Sequence, residues 1–145
     1  MISYKKIKEY AIYFIVFIVF WFFKSKFDNW FNAEWERFSI SFYMYSTLYV
    51  ISNFIFGIVI GLPTFYKEIK KQGKWKLHLE KLLLLGVPAM FIVIISYFYL
   101  PRYPLFFELQ AHSWESGLSL YATTFLGYVV ISSFYKKWIR VEFSP

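Results

Sequence analysis

The sequence contains no cysteine. Disulfides, thiolate-bound metals, iron–sulfur clusters and a cysteine nucleophile are therefore excluded. Charge is also scarce: Asp, Glu, Lys and Arg make up 17% of the chain, against roughly 25% in an average one. Its two histidines, His78 and His112, lie outside the apolar runs. Haem held between helices by paired imidazoles thus has no ligands. Neither a Gly-rich phosphate loop nor a His-Glu-x-x-His motif occurs, and there is no internal repeat. Intramembrane proteolysis lacks its Ser/His pair or its paired Asp. No metal or cofactor is expected, and most enzyme classes fall away with these absences.

What fills the chain instead is apolar and aromatic. Hydrophobic residues account for 59% of 145, and Phe, Tyr and Trp alone for 26%. A chain this small has too much surface to hide so much apolar area from water. The composition excludes a disordered tail, a coiled coil and a typical cytosolic enzyme, and points to lipid.

Four runs lack Asp, Glu, Lys and Arg: Tyr10 to Phe23, Phe38 to Tyr66, Leu82 to Pro101 and Ser116 to Tyr135. About 20 apolar residues cross the hydrocarbon core. The last three runs reach this outright, and the first does so if Lys8 and Lys24 snorkel. Large residues at Trp21-Phe22-Phe23-Lys24 offer no signal-peptide cleavage site, so the first run reads as an uncleaved anchor. The expected fold is an all-α integral membrane protein. Four transmembrane helices at about 8–24, 40–63, 82–100 and 116–135 form one antiparallel up-down bundle over residues 1–145.

Twelve of the sixteen basic residues fall at the two termini and in the Lys-rich loop 66–81, and four on the other side: Lys24 at the end of the first span, and Lys26, Arg37 and Arg102 in the loops 25–39 and 101–115. The positive-inside rule then puts both termini and loop 66–81 in the cytoplasm of a multi-pass cell-membrane protein. The net charge of +7 is this topology signal, so no nucleic-acid partner is expected. The Phe-, Ile-, Tyr- and Lys-rich composition suggests an A/T-rich genome, and a bacterial membrane is the expected setting.

Within the spans, Asn53, Gly57 and Gly61 recur every four residues and share a helix face. Gly57 to Gly61 is the small-xxx-small spacing that lets helices approach closely in lipid. Ser119, Thr123 and Gly127 form a second small face. Packing these two faces together is the simplest arrangement. A homodimer contact or a contact with another membrane protein is the functional alternative. Pro88 frees the carbonyl of Leu84 and is expected to kink its helix.

In the first outer loop, Phe27, Trp30, Phe31, Trp35 and Phe38 fall at helical spacing, with Asp28, Asn32 and Glu36 on the other side. This pattern predicts a separate amphipathic helix lying in the interface and anchored by its aromatics. Lys67, Lys70, Lys71, Lys74 and Lys76 in the middle loop are candidates for anionic lipid. Gly73 is expected to divide that loop into two short helical extensions. In the second outer loop, Leu105 to Leu109 predicts another interfacial turn.

Three functions fit. The favoured one is a non-enzymatic accessory or regulatory subunit acting through helix–helix contacts. The alternative is a small oligomeric channel or transporter, with a pathway lined by Asn53, Ser46, Thr47, Thr123 and Thr124. A lipid-directed enzyme using Glu108, His112 and Glu115 ranks third.

Overall fold

A computed structural model of the chain describes residues 4–97 and 104–137. Helix α1 runs Tyr4–Glu36, α2 runs Phe42–Ile69, and strand β1 covers Lys74–Leu77. A continuous helical rod, Leu79–Tyr97, consists of α3 (Leu79–Lys81), a π-helical turn (Leu82–Gly86) and α4 (Val87–Tyr97). Helices α5 (Pro104–Glu115) and α6 (Leu118–Ser132) follow, and strand β2 (Phe134–Lys137) ends the described chain. Three helices are long and apolar enough to cross a membrane, and the apolar α6 is shorter. This is a helical membrane protein by helix length and composition.

Helix α1 corrects one expectation. No interfacial helix stands apart at Phe27 to Phe38; the segment as far as Glu36 continues α1 without a break. Nothing between Lys24 and Phe27 is a helix breaker, and Lys24 pairs with Asp28 one turn on at 2.5 Å. At 1.5 Å per residue the helix is about 50 Å long. It ends in a Schellman turn: Ser39 N–H donates to the Glu34 carbonyl at 3.2 Å and Phe38 N–H to that of Trp35 at 2.9 Å. Phe38 occupies the left-handed position, φ 55°, that glycine usually fills. Ser41 then caps α2, its hydroxyl accepting from Met44 N–H at 3.3 Å.

The aromatic stripe faces protein more than interface. Phe31 is buried and stacks on Tyr45 of α2 with centroids 4.8 Å apart, and Trp35 lies 4.7 Å from the same ring. Phe27 stacks on Phe31, whereas Trp30 and Phe38 are exposed. Five aromatics therefore do not share one buried side. Further along, Phe20 stacks on Phe56 and Tyr13 meets Tyr66, so α1 runs antiparallel to α2.

The closest helix contact is between α2 and α6. A Cβ at Gly57 would run into the Thr124 carbonyl and lie 2.9 Å from Tyr128 N; a Cβ at Gly127 would strike the Phe54 carbonyl. Backbone meets backbone here because neither helix carries a side chain at the crossing. Residue numbers rise together along both helices, so α2 and α6 are parallel. Helix α4 lies against α6 through Val93, Tyr97 and Ala122.

Pro88 sits directly behind the π-helical turn. The expected disturbance takes this form: a wider turn relieves the clash between a proline ring and the preceding turn. The turn expected at Leu105 to Leu109 is part of a longer helix, α5. This helix is held by Trp114 Nε1–H donating to the Ser96 carbonyl at 2.8 Å and by Ser113 and Ser96 hydroxyls 2.8 Å apart. Pro101 and Arg102 lie outside the described residues.

The Lys-rich loop also differs. Gly73, φ 138°, turns the chain into β1, which pairs antiparallel with β2: Lys74 opposite Lys137, Trp75 opposite Lys136, Lys76 opposite Tyr135, Leu77 opposite Phe134. The expected helical extension at Lys74 to Leu77 is thus a strand, and Phe134 and Tyr135 belong to β2, not to the fourth span. Lys136 caps α2, its ammonium donating to the Ile69 and Lys71 carbonyls at 2.8 and 2.9 Å. Lys81 caps α6 through the Ser132 carbonyl and hydroxyl at 3.2 and 2.7 Å.

Two expectations follow. Alanine at Gly57 or Gly127 should each cost roughly 1–3 kcal/mol through overpacking. Alanine at Gly86, where the nearest atoms are 3.8 Å from the new Cβ, should be close to neutral. Unfolding in detergent measures all three, and equal losses would contradict a backbone contact at this crossing. The second concerns acid. Glu68, at the charged end of α2, is ion-paired with Lys71 and accepts from Lys136 N–H at 3.1 Å. These partners hold its carboxyl below the usual 4.5. Its ionised form therefore stabilises the fold above the unfolded carboxylate range, and the contribution is lost as pH falls through the lowered value. The melting gap between wild type and Glu68→Gln should be widest near pH 7 and shrink as pH falls through and below the usual carboxylate range; a gap that stays constant into acid would assign the loss to packing.

Candidate functional site: a polar cleft between three helices

Trp21, Lys24, Ser25, Asp28 and Asn29 project from one side of α1, at the spacing of successive helical turns. Asn53 and Phe56 of α2 and Leu120 of α6 complete a cleft of about 320 Å³. Its charged pair is Lys24 and Asp28. The Lys24 side chain is 8% exposed and that of Asp28 31%, and the ammonium lies 5.9 Å from the Phe56 ring centroid. Asn53 is 1% exposed. Its amide Nδ2–H donates to the Tyr49 carbonyl at 2.9 Å, while its Oδ1 has no hydrogen-bond partner.

The cleft is neutral overall but rich in acceptors. The Asp28 carboxylate has lone pairs beyond those used by Lys24, and the Asn53 carbonyl is unsatisfied. Such a site favours a group that donates hydrogen bonds: water, a hydroxyl or an ammonium. On the other side of the α1–α2 contact, Phe20, Phe23, Phe27, Ile51 and Ile55 line an apolar groove of about 280 Å³ that also touches Lys24. Lys24 thus occupies the seam between α1 and α2.

Asn53 was visible in the sequence as a polar residue in an apolar run. Lys24 and Asp28 were not, because dividing the chain at its charges cut α1 at Phe23. The signal was present as an i, i+4 Lys–Asp spacing inside an unbroken helical pattern.

The other sequence candidates are distributed as follows. Asn53, Gly57 and Gly61 are buried along α2, the latter two against α6. On α6 the face meeting α2 is Thr124, Gly127, Tyr128 and Ile131. Ser119 and Thr123 turn instead toward the Tyr97 hydroxyl of α4. Among the residues named for a pathway, Ser46, Asn53 and Thr123 are buried, whereas Thr47 is exposed and lies apart from them. Glu108, His112 and Glu115 share an exposed face of α5. Among the described residues, no three His, Cys, Asp or Glu side chains cluster as a metal site. The Lys-rich cluster divides: Lys67 lies over Tyr10, Lys70 over Tyr66, and Lys71 pairs with Glu68, while Lys74 and Lys76 belong to β1.

No protein-family model matches the chain, and neither do curated proteins or solved structures.

Removing one member of the Lys24–Asp28 pair leaves the other charge in a poorly hydrated seam. Lys24→Met alone should destabilise the protein by about 1–3 kcal/mol, and Lys24→Met with Asp28→Leu by less than either single change. A double-mutant cycle of unfolding in micelles reads this coupling. Additive losses would show that the two groups do not depend on each other.

Proposed function

We propose that this protein is a non-enzymatic accessory or regulatory subunit of a membrane assembly, acting through helix contacts. It crosses a bacterial cell membrane four times, with both termini in the cytoplasm. The 12-to-4 division of basic residues supports this orientation.

The observation that carries the reading is the state of α1. It is apolar over most of its length and rests chiefly on α2. Ile12, Phe14, Ile15, Ile18, Val19, Phe22 and Phe23 are all exposed in the single chain. The glycine faces that could have met a partner are occupied inside the chain, because Gly57 and Gly127 face backbone. Apolar side chains such as Leu84 and Phe91 are exposed on the Leu79–Tyr97 rod as well, and we assign the contact to α1 because it rests chiefly on a single neighbour. A photo-crosslinking residue at Ile15 or Phe22, in native membranes, should give a discrete protein adduct. Controls at buried Gly61 or Val93 should give none. Adducts to lipid alone at both α1 positions would remove the accessory reading.

A specific observation favours a transporter as the second reading. The Lys67 ammonium lies 5.9 Å from the Tyr10 ring, which puts those residues at one level. Lys24 and Asn53 are each 14 residues further along their helices, about 21 Å at 1.5 Å per residue. That distance falls within a hydrocarbon core of ~30 Å. An ionisable pair at such depth is the usual mark of a substrate or ion pathway. In proteoliposomes, flux that is abolished by Asp28→Asn would raise this reading above the first.

A further inference from the structure

The pairing of β1 with β2 sorts the residues of the Lys-rich end onto two faces. In an antiparallel pair, opposed residues project to the same side and successive residues alternate. Trp75, Leu77, Phe134 and Lys136 share one face. Trp75 stacks on Phe65 of α2 at 5.3 Å, Phe134 meets the same ring at 6.2 Å, and Lys136 lies over Trp75 at 4.9 Å. That face is therefore turned to α2. Lys74, Lys76, Tyr135 and Lys137 share the other. Tyr135 is stacked on His78 with centroids 3.7 Å apart, and the three lysines are exposed.

This second face carries an unbalanced charge. Lys74 stands directly opposite Lys137, where like charges oppose pairing. Lys76 is the diagonal neighbour of Lys137, ~7–8 Å away at the Cα. Among the described residues none of the three has an acidic partner; Glu68 is committed to Lys71 and to Lys136 N–H. Three cations held on one small, rigid face by an aromatic anchor underneath form a site for a multiply accepting anion.

We propose that Lys74, Lys76 and Lys137 form one cationic face that binds the phosphate headgroups of anionic phospholipids. The position of the sheet selects lipid as the occupant. β1 begins five residues after the end of α2, and β2 two residues after the end of α6. The sheet is therefore at the ends of apolar helices, where headgroups are. Trp75, 46% exposed, is the residue type enriched at that level. The site is distinct from the general lysine content of the loop. Lys67, Lys70 and Lys71 are engaged with Tyr10, Tyr66 and Glu68, and Lys137 comes from the strand that follows α6, adjacent in space but distant in sequence. The inference holds under either functional reading.

Native mass spectrometry of the detergent-solubilised protein tests it, with phosphatidylglycerol or phosphatidylcholine added. Wild type should retain phosphatidylglycerol in preference to phosphatidylcholine. The triple variant Lys74→Gln, Lys76→Gln, Lys137→Gln should lose that preference by tenfold or more, at roughly the contribution of a lysine near an anionic surface for each change. The control triple Lys67→Gln, Lys70→Gln, Lys71→Gln should stay within about twofold of wild type. Independently of any variant, raising salt from about 0.05 to 0.5 M should release the anionic lipid from wild type. Equal retention of both lipids by wild type would overturn the proposal. So would equal losses in the two triples, or binding of nucleic acid or acidic peptide without lipid preference.

Discussion

The structure depends on the absence of two side chains. Where α2 crosses α6, Gly57 faces the Thr124 carbonyl and Gly127 faces the Phe54 carbonyl. Each glycine makes room for the other helix's backbone. In lipid there is no hydrophobic gain in bringing apolar helices together, so close packing has to supply the attraction. A crossing this tight supplies it and fixes the register of the two helices as well. Because α2 and α6 are parallel, their C-terminal ends at Ile69 and Ser132 emerge together. That shared exit makes the β1–β2 sheet possible. The chain reverses at Gly73 after α2, whereas it runs straight on after α6, and the strands meet antiparallel.

Polar groups are settled locally around this crossing. Ser96, Thr123 and Ser133 hydroxyls each donate to the carbonyl four residues back, at 2.7, 2.7 and 2.6 Å. Such bonds let small polar residues sit within an apolar helix at little cost. The helix ends are harder, because their last carbonyls have no partner within the helix. Lysines from elsewhere in the chain close two of them. Lys136 reaches the end of α2 and Lys81 the end of α6. Some lysines that composition assigns to topology are therefore structural as well. The same residue does both, because a helix end at the headgroup level needs a cation for its carbonyls and the loop carries a cation for orientation.

The sequence was informative where periodicity is uninterrupted and misleading where charge was taken as a boundary. The small residues of α2 and α6 were visible by spacing, and they lie at or beside the crossing. Which of them face each other was not visible: Ser119 and Thr123 are one helical step round from the contact, toward Tyr97. A four-residue repeat drifts around a 3.6-residue helix, so spacing identifies a stripe better than a partner. Helix α1 was misread at Lys24, since a lysine ends an apolar run without ending a helix. The strands were invisible because Lys74 to Leu77 alternates lysine with Trp and Leu over only four residues, and its partner lies beyond a whole helix. Pairing of this kind is a tertiary fact, and no local pattern encodes it.

The division of labour among the helices bears on function. With their glycines spent on each other, α2 and α6 form a fixed core, and α4 and α5 are tied to it through Tyr97, Trp114 and Ser96. Helix α1 is different. It meets the core along one line of aromatic contacts, from Tyr13–Tyr66 to Trp35–Tyr45. In the middle of that line stands Lys24, an ammonium where a close-packed seam would place a small apolar residue. A charged side chain there weakens apolar packing and requires Asp28 to neutralise it. Both members of that pair belong to α1, so it neutralises charge at the seam without tying α1 to α2. Beside it lie the unsatisfied Asn53 carbonyl and the cleft. An incoming donor at Asn53 and Asp28 would share the carboxylate with Lys24, while the aromatic contacts continue to hold α1 against α2. Helix α1 thus carries both an exposed apolar surface and one wall of the polar cleft.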